Sequence, residues 1–278
     1  MSESQEYPLG YSEQEARRLA DQGAFLEGFT KDVLQQAGLA HGMRVLDIGC
    51  GVGDVSLLAA KIVGKDGSVL GVDRASSSVE TARRKVASLG VTNVRFAQAD
   101  VTTLEPDQQF DAIVGRLVLL YLPDPATALR GLSRHLRPGG IVAFQEYDIS
   151  ESSQVPPSKL FMKMQRWIHD AFTAGGTELG MGTKLYSTFL RAGLPPPSMV
   201  ASTLCGGPSA GGYEYLVRVL RSLLPSIERQ GLADVSEIDI DTLAARLRDD
   251  AVSNARVAFL PRVVGAWARL PADGTGAD

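Results

Sequence analysis

The sequence predicts an α/β chain in which a mostly parallel, doubly wound β-sheet carries helices on both faces. Three observations lead there. Short apolar runs that read as strands begin near residues 43, 68, 94, 110 and 141. The segments between them have helical spacing or loop composition, the alternation that feeds βα units into a parallel sheet. The runs are continuously apolar, as strands buried on both faces are. Right-handed crossovers then distribute the helices over both faces.

Ser12-Glu13-Gln14-Glu15 has the Ser-x-x-Glu form of a capping box and opens a helix to about Ala37, where Gly38 is a stop signal. MRVLDI (43–48) is the first strand, Gly49-Cys50-Gly51-Val52-Gly53 a glycine loop, and VSLLAAKIV (55–63) a helix stopped by Gly64. SVLGVD (68–73) is the second strand. Val79, Ala82, Val86 and Leu89 then fall at helical spacing up to Gly90. VRFAQ (94–98) and FDAIVG (110–115) are the third and fourth strands. Asp124-Pro125 is an N-cap followed by proline at the first helical position, and Leu129, Leu132 and Leu136 line one face of that helix. Arg137-Pro138-Gly139-Gly140 reads as a turn, and IVAFQE (141–146) as the fifth strand.

Beyond Glu146 the rhythm changes. Helices are expected near 158–173, 183–193, 213–229 and 240–250, with a glycine-rich stretch at 175–182. SMVASTLC (198–205) reads as a sixth strand. ARVAFLPRVVGAWAR (255–269) is apolar enough for the last strand, but Pro261 argues against a continuous central one. An edge position or a partly helical course both satisfy that constraint.

Composition narrows the function. The 278 residues carry 28 Lys+Arg against 32 Asp+Glu, a formal charge of −4, which disfavours a chain whose main task is gripping a nucleic-acid backbone. The cysteines are Cys50 and Cys205 and the histidines His41, His135 and His169, which leaves no disulfide framework and no expected metal site. No run approaches 18 apolar residues, so no membrane span is expected. MSESQEYPLG lacks the basic and apolar regions of a signal peptide, which makes the cytoplasm the expected compartment.

The chemistry concentrates in Asp47-x-Gly49-x-Gly51-x-Gly53, between a strand and a helix, where nucleotide-like cofactors bind in such sheets. A dinucleotide fingerprint starting at Gly49 requires Gly or Ala at position 54; the chain has Asp54, which would face a pyrophosphate. No Gly-Lys-Ser/Thr follows, so the loop is not a P-loop. A cofactor without phosphate fits better.

Together, DIGCGVGD, the acidic Asp73 ending the second strand, Ala99-Asp100-Val101 after the third and LRPGG before the fifth resemble class I S-adenosylmethionine-dependent methyltransferases over roughly residues 40–148. YPLGYSEQEARRL is similar to the lead-in of bacterial small-molecule members. The resemblance implies a seven-stranded Rossmann-like sheet and S-adenosylmethionine as cofactor. Asp47 then organises the loop and helps hold the cofactor's ammonium, and the backbone at Gly49, Cys50 and Gly51 passes close to the methionine and ribose portions. Asp73 accepts from both ribose hydroxyls and Arg74 lies against adenine. Asp100 accepts from the adenine amino group while the Val101 N–H donates to a ring nitrogen. Arg116 pairs with the methionine carboxylate, and Tyr11 and Arg17 close over the cofactor from the N-terminal helix. Cys50 reads as a small packed residue, since nothing beside it supplies a base or cation.

The acceptor side is less defined. The Asn-Pro-Pro-Tyr or Asp-Pro-Pro-Tyr motif of amine methylation is replaced by RLVLLYLPDP, which brings Tyr121 to the acceptor's usual approach. Glu146, at the carboxyl end of the fifth strand, is placed to hold an acceptor, to act as a base, or to make a structural hydrogen bond. His169 is a candidate general base. It projects away from the stripe of Leu160, Met164, Trp167, Ile168 and Phe172, which favours solvated surface. His41 and His135 also read as surface. Tyr147 and Trp167 serve equally as pocket walls or aromatic core.

The chain thus reads as one domain over residues 1–278. It comprises an N-terminal helical lid (12–38), a cofactor-binding core (43–148) and acceptor-side insertions (151–182 and 211–250) that extend the lid. The expected activity is methyl transfer to a small organic molecule, with no membrane partner and the oligomeric state open. Methylation of RNA or DNA, a non-catalytic cofactor-binding protein and a nicotinamide-dependent oxidoreductase are the alternatives.

Overall fold

The computed structural model describes residues 13–272, with side chains from residue 22 onward except at position 24. The capping-box Ser12 and the candidate Tyr11 lie outside the described residues, and the side chain of Arg17 is not described. Helix α1 (Glu13–Gln36) leads into strand β1 (Arg44–Ile48), α2 (Asp54–Val63), β2 (Ser68–Asp73), α3 (Ser76–Ser88), β3 (Val94–Gln98) and β4 (Phe110–Arg116). Then come α4 (Pro125–Ser133), β5 (Leu136–Asp148), β6 (Ser153–Val155), α5 (Lys159–Ala174), α6 (Met181–Arg191), β7 (Ser198–Ser202) and β8 (Cys205–Gly206). The chain continues through α7 (Gly212–Gln230), the single turn α8 (Val235–Ile238), α9 (Ile240–Ser253), β9 (Val257–Phe259) and β10 (Arg262–Arg269).

Seven strands form one sheet in the order β3-β2-β1-β4-β5-β10-β7, and β6-β9-β8 form a separate three-stranded sheet. The pairs β2–β3, β1–β2, β1–β4 and β4–β5 are parallel. The topological switch therefore falls between β1 and β4. There the carboxyl ends of neighbouring strands diverge, and open α/β sheets bind ligands.

Local chemistry explains the element ends. Asp124 accepts the Thr127 N–H at 3.2 Å ahead of Pro125 and so caps α4, while Ser158 caps α5 through the Phe161 N–H at 3.3 Å. Gly64 ends α2 at φ 68°, donating its N–H to the Ala60 carbonyl. The apolar faces of α2 and α3 meet the sheet in one buried cluster that includes Val55, Leu58, Ala82, Val45, Val69, Phe96, Ala112 and Val114.

Three expectations change. Arg137-Pro138-Gly139-Gly140 is not a turn before β5 but an irregular part of it. The β4–β5 register jumps from Phe110–Leu136 to Ala112–Ile141, as a bulge requires. Gly139 sits at φ 74° and its N–H reaches the Pro271 carbonyl. The segment 198–205 is two strands, β7 in the large sheet and β8 in the small one. Pro261 does break the segment 255–269, but its second half, β10, is an interior strand between β5 and β7. The break accommodates proline's missing donor, and the eight residues after it form the strand.

The chain divides into two compact units. The first comprises Tyr147–Gly180 and Ala201–Val263 with the start of α1; the second comprises Leu19–Glu146, Met181–Val200 and the chain from Val264. The second holds most of the large sheet and is called the sheet unit below; the first is the helical unit. Among the described residues no helix is long and apolar enough to cross a membrane.

Candidate functional site

Asp47 lies on β1 and is 1% exposed. Its Oδ2 accepts from the Ser56 hydroxyl at 2.5 Å, while Oδ1 is buried with no hydrogen-bond partner among the described residues. Burial pushes its pKa from an ordinary 3.8 to about 7, opposed by the Ser56 bond and the nearby Arg116 charge. A buried carboxylate oxygen without a donor costs free energy, so its persistence marks a place where a donor belongs.

The glycine loop follows directly on this strand, and the Asp47 charge reaches the Cys50 thiol within it. Gly49 takes φ 64°, and a Cβ there would stand 2.7 Å from the Val118 side chain. Gly53 takes φ 87°, where a Cβ would stand 2.8 Å from the Phe96 ring. Only glycine meets both demands without strain. The loop is further tied to β2: the Gly51 N–H donates to Asp73 Oδ2 at 2.9 Å, and Asp73 Oδ1 takes the Ala75 N–H at 2.9 Å. Each carboxylate oxygen has two lone-pair sites, so both oxygens of Asp73 keep accepting capacity. Cys50 is buried and its thiol is pushed well up by desolvation and by the Asp47 and Asp73 charges, which makes it inert. Asp54 is paired with Lys85 at the start of α2.

On the β3 side, Asp100 Oδ1 accepts both the Thr102 N–H at 2.8 Å and its hydroxyl at 2.6 Å, bonds that hold its pKa below the ordinary value. The Arg74 charge adds to that effect. Val101 is half-buried in the same turn.

The end of β4 carries a further polar group, Arg116. Arg116 Nη1 donates to the Thr30 hydroxyl at 3.1 Å, and Thr30 donates to Gln145 Oε1 at 3.0 Å. Leu117 then takes φ 57°, unusual for a bulky residue, with its N–H on the Gln145 carbonyl at 2.8 Å. Glu146 secures the turn that follows. Its Oε1 accepts the N–H groups of Val118 at 3.1 Å and Leu119 at 2.8 Å, while Oε2 is buried without a partner among the described residues. Burial raises its pKa from 4.5 to about 8 against the pull of those N–H groups. Tyr121 ends this single 3₁₀ turn, half-buried.

The sheet unit therefore holds Asp47, Gly49, Cys50, Gly51, Asp73, Arg74, Asp100, Val101, Arg116, Tyr121 and Glu146. His169 belongs to the helical unit, and the structure corrects the reading of it as solvated: it is half-buried and its Nε2 meets the Ile149 carbonyl at 3.1 Å. The turn after β5 folds over a position that helical periodicity alone places outside the apolar stripe. His135 is likewise not surface, its side chain being 15% exposed, whereas His41 is 63% exposed. Trp167 and Tyr147 are buried, and the Tyr147 and Tyr215 hydroxyls lie 3.4 Å apart. Among the described residues no group of three or more His, Cys, Asp or Glu side chains is placed to hold a metal ion.

Sequence reasoning missed Thr30, Ser56, Leu117, Val118 and Gln145. The signal for three of them was polarity in an apolar setting. Thr30 interrupts the stripe of Leu26, Val33 and Leu34 on α1, Ser56 lies inside the buried face of α2, and Gln145 inside the buried run of β5.

A methyltransferase-domain family model matches residues 39–193, which includes the glycine loop, Asp73, Asp100, Arg116 and Glu146. The chain belongs to this methyltransferase family. A demethylmenaquinone methyltransferase of Staphylococcus aureus is 35% identical over 117 residues, 42% of this chain and 48% of that protein. The chain thus aligns with about half the length of the curated relatives it matches. Two solved structures share this fold. The YcgJ protein of Bacillus subtilis has a TM-score of 0.57 at 20% identity and covers 88% of this chain and 99% of its own. A phosphoethanolamine N-methyltransferase of Haemonchus contortus, in complex with phosphomonomethylethanolamine and S-adenosylhomocysteine, has a TM-score of 0.56 at 18% identity. It covers 88% of this chain and 52% of its own.

Proposed function

We propose that this methyltransferase moves the methyl group of S-adenosylmethionine onto a small organic acceptor. The observation that carries the proposal is the cradle itself. A buried Asp47 oxygen lacks a donor among the described residues, and a loop of positive-φ glycines follows its strand. Asp73 is held open by Gly51 and Ala75. These groups fit the cofactor's ammonium, its methionine portion and its ribose in that order. When bound, the sulfonium supplies an activated methyl that passes to a nucleophile in line, leaving S-adenosylhomocysteine.

Asp47 Oδ1 accepts from the ammonium, with Ser56 fixing the carboxylate's orientation. Asp73 uses its remaining lone pairs for the ribose hydroxyls. Asp100 Oδ1 is occupied by Thr102, so Oδ2 is the oxygen assigned to the adenine amino group, beside the Val101 N–H. Arg74 lies against adenine, and Arg116 takes the carboxylate. Cys50 contributes only its backbone and its small size.

Glu146 acts by position rather than as a base. Both backbone bonds fall on Oε1, and together they hold the turn that presses Val118 onto Gly49. Tyr121, at the end of that turn, borders the acceptor. His169 is bonded to the Ile149 carbonyl and is assigned no proton transfer. The cytoplasm is the compartment such an acceptor implies.

The small-molecule reading has a family-level support, since the curated relative named above acts on demethylmenaquinone. Methyl-labelled S-adenosylmethionine, incubated with the full chain and a cell extract, tests it. Label should appear in the low-molecular-weight fraction and require the chain. Label confined to nucleic acid would replace this reading with RNA or DNA methylation.

A further inference from the structure

We infer that Thr30 and Gln145 are positioning residues that aim the Arg116 guanidinium at the carboxylate of the bound cofactor. The inference rests on the cofactor reading given above. A guanidinium can only donate, so the Thr30 oxygen accepts from Arg116 Nη1 and its own proton must go elsewhere. That proton goes to Gln145 Oε1 at 3.0 Å. The direction of the whole chain, from Arg116 through Thr30 to Gln145, is thereby set by the charge at its start.

Burial makes the chain rigid. Thr30 is 0% exposed and Gln145 1% exposed, so water offers neither a substitute partner. Three different elements supply the members: α1 supplies Thr30, β4 ends in Arg116, and Gln145 pairs with Arg116 in the β4–β5 register. The long Arg116 side chain has many rotamers in isolation. A fixed acceptor on α1 selects among them and lowers the ordering cost of binding. The same guanidinium lowers the pKa of Asp47, which places it within electrostatic reach of the ammonium subsite. One cation and one carboxylate in that relation match the zwitterionic end of an amino-acid cofactor.

A ligand pair separates this role from simple stability. S-adenosylhomocysteine carries both ammonium and carboxylate; decarboxylated S-adenosylhomocysteine keeps the ammonium alone. Thr30→Val removes acceptor and donor with little change in shape, and Thr30→Ser restores both. The full chain is titrated calorimetrically with each ligand. Thr30→Val should weaken S-adenosylhomocysteine by about tenfold and leave the decarboxylated ligand within about twofold. Gln145→Leu should show the same preference, and Thr30→Ser should return to wild-type values. Equal loss for both ligands, or no loss for either, overturns the inference while the cofactor reading stands. Wild-type protein that binds neither ligand overturns both.

Discussion

Asp47 and Glu146 are two buried carboxyls on strands of one sheet, each with one oxygen bonded and one without a partner among the described residues. Their chemistry diverges through those partners. Asp47 is oriented by a hydroxyl and approached by the Arg116 charge, so a ligand cation can recover its ionised form. Affinity for S-adenosylhomocysteine should therefore rise as pH passes up through about 7 and then level, with proton release on binding below that pH. Flat affinity between pH 5.5 and 8, in buffers of different ionisation heat, would remove Asp47 from the ammonium site. Asp73→Ala should weaken the same ligand by about 1.5–3 kcal/mol, the range for hydrogen bonds to a charged group. Glu146→Gln should keep kcat within about fivefold, because the amide oxygen still accepts both N–H groups. Glu146→Ala should be destabilised by about 1–3 kcal/mol for the orphaned donors. A general base would instead lose on the order of 10²–10⁴ in rate with either change.

At the scale of elements, the carboxyl ends of β1, β2, β4 and β5 carry Asp47, Asp73, Arg116 and Glu146, and backbone N–H groups of the loops after them bind Asp73 and Glu146. Val118 is the wedge in this arrangement, touching the space over Gly49 and lying near Gly115. Gly49→Ala must tolerate both φ 64° and a 2.7 Å approach to Val118. It should cost about 1–3 kcal/mol in urea unfolding and abolish the binding heat. A normal titration curve from that variant would mean the loop is not the cradle. The strands and the glycine loop were legible because apolar runs, glycine spacing and strand-end acids are local signals. Gly139, by contrast, bends an ongoing strand instead of ending it, since its N–H finds Pro271 132 residues away in a pairing that no local window contains. β10 becomes interior for the same reason. Thr30 and Gln145 were visible as polar residues at apolar positions, but their pairing spans 115 residues. His169 was misplaced because helical periodicity says nothing about the turn that folds over it.

For the whole molecule, the two raised carboxyls set a direction for stability against pH. Folded Asp47 and Glu146 hold protons that the unfolded chain releases near 3.8 and 4.5. The unfolded state thus binds fewer protons between those values and about 7 and about 8. Their contribution is fully present at lower pH and is lost as pH rises through the folded values. Unfolding free energy measured by urea from pH 5 to 9 should carry this downward component. Glu146→Gln should remove its upper part. A wild-type component that rises over this range, with no difference in the variant, would mean neither group is protonated in the folded chain. The same molecule should gain thermal stability with increasing S-adenosylhomocysteine, since a ligand of the folded state alone stabilises by mass action.

Binding of the full chain to S-adenosylhomocysteine and to NAD, followed by calorimetry under one set of conditions, bears most directly on the methyltransferase assignment. One equivalent of S-adenosylhomocysteine should bind, with the interaction weakened in Asp73→Ala, and NAD should give no heat. Saturable binding of NAD with none of S-adenosylhomocysteine would contradict the cradle formed by Asp47, Gly49 and Asp73.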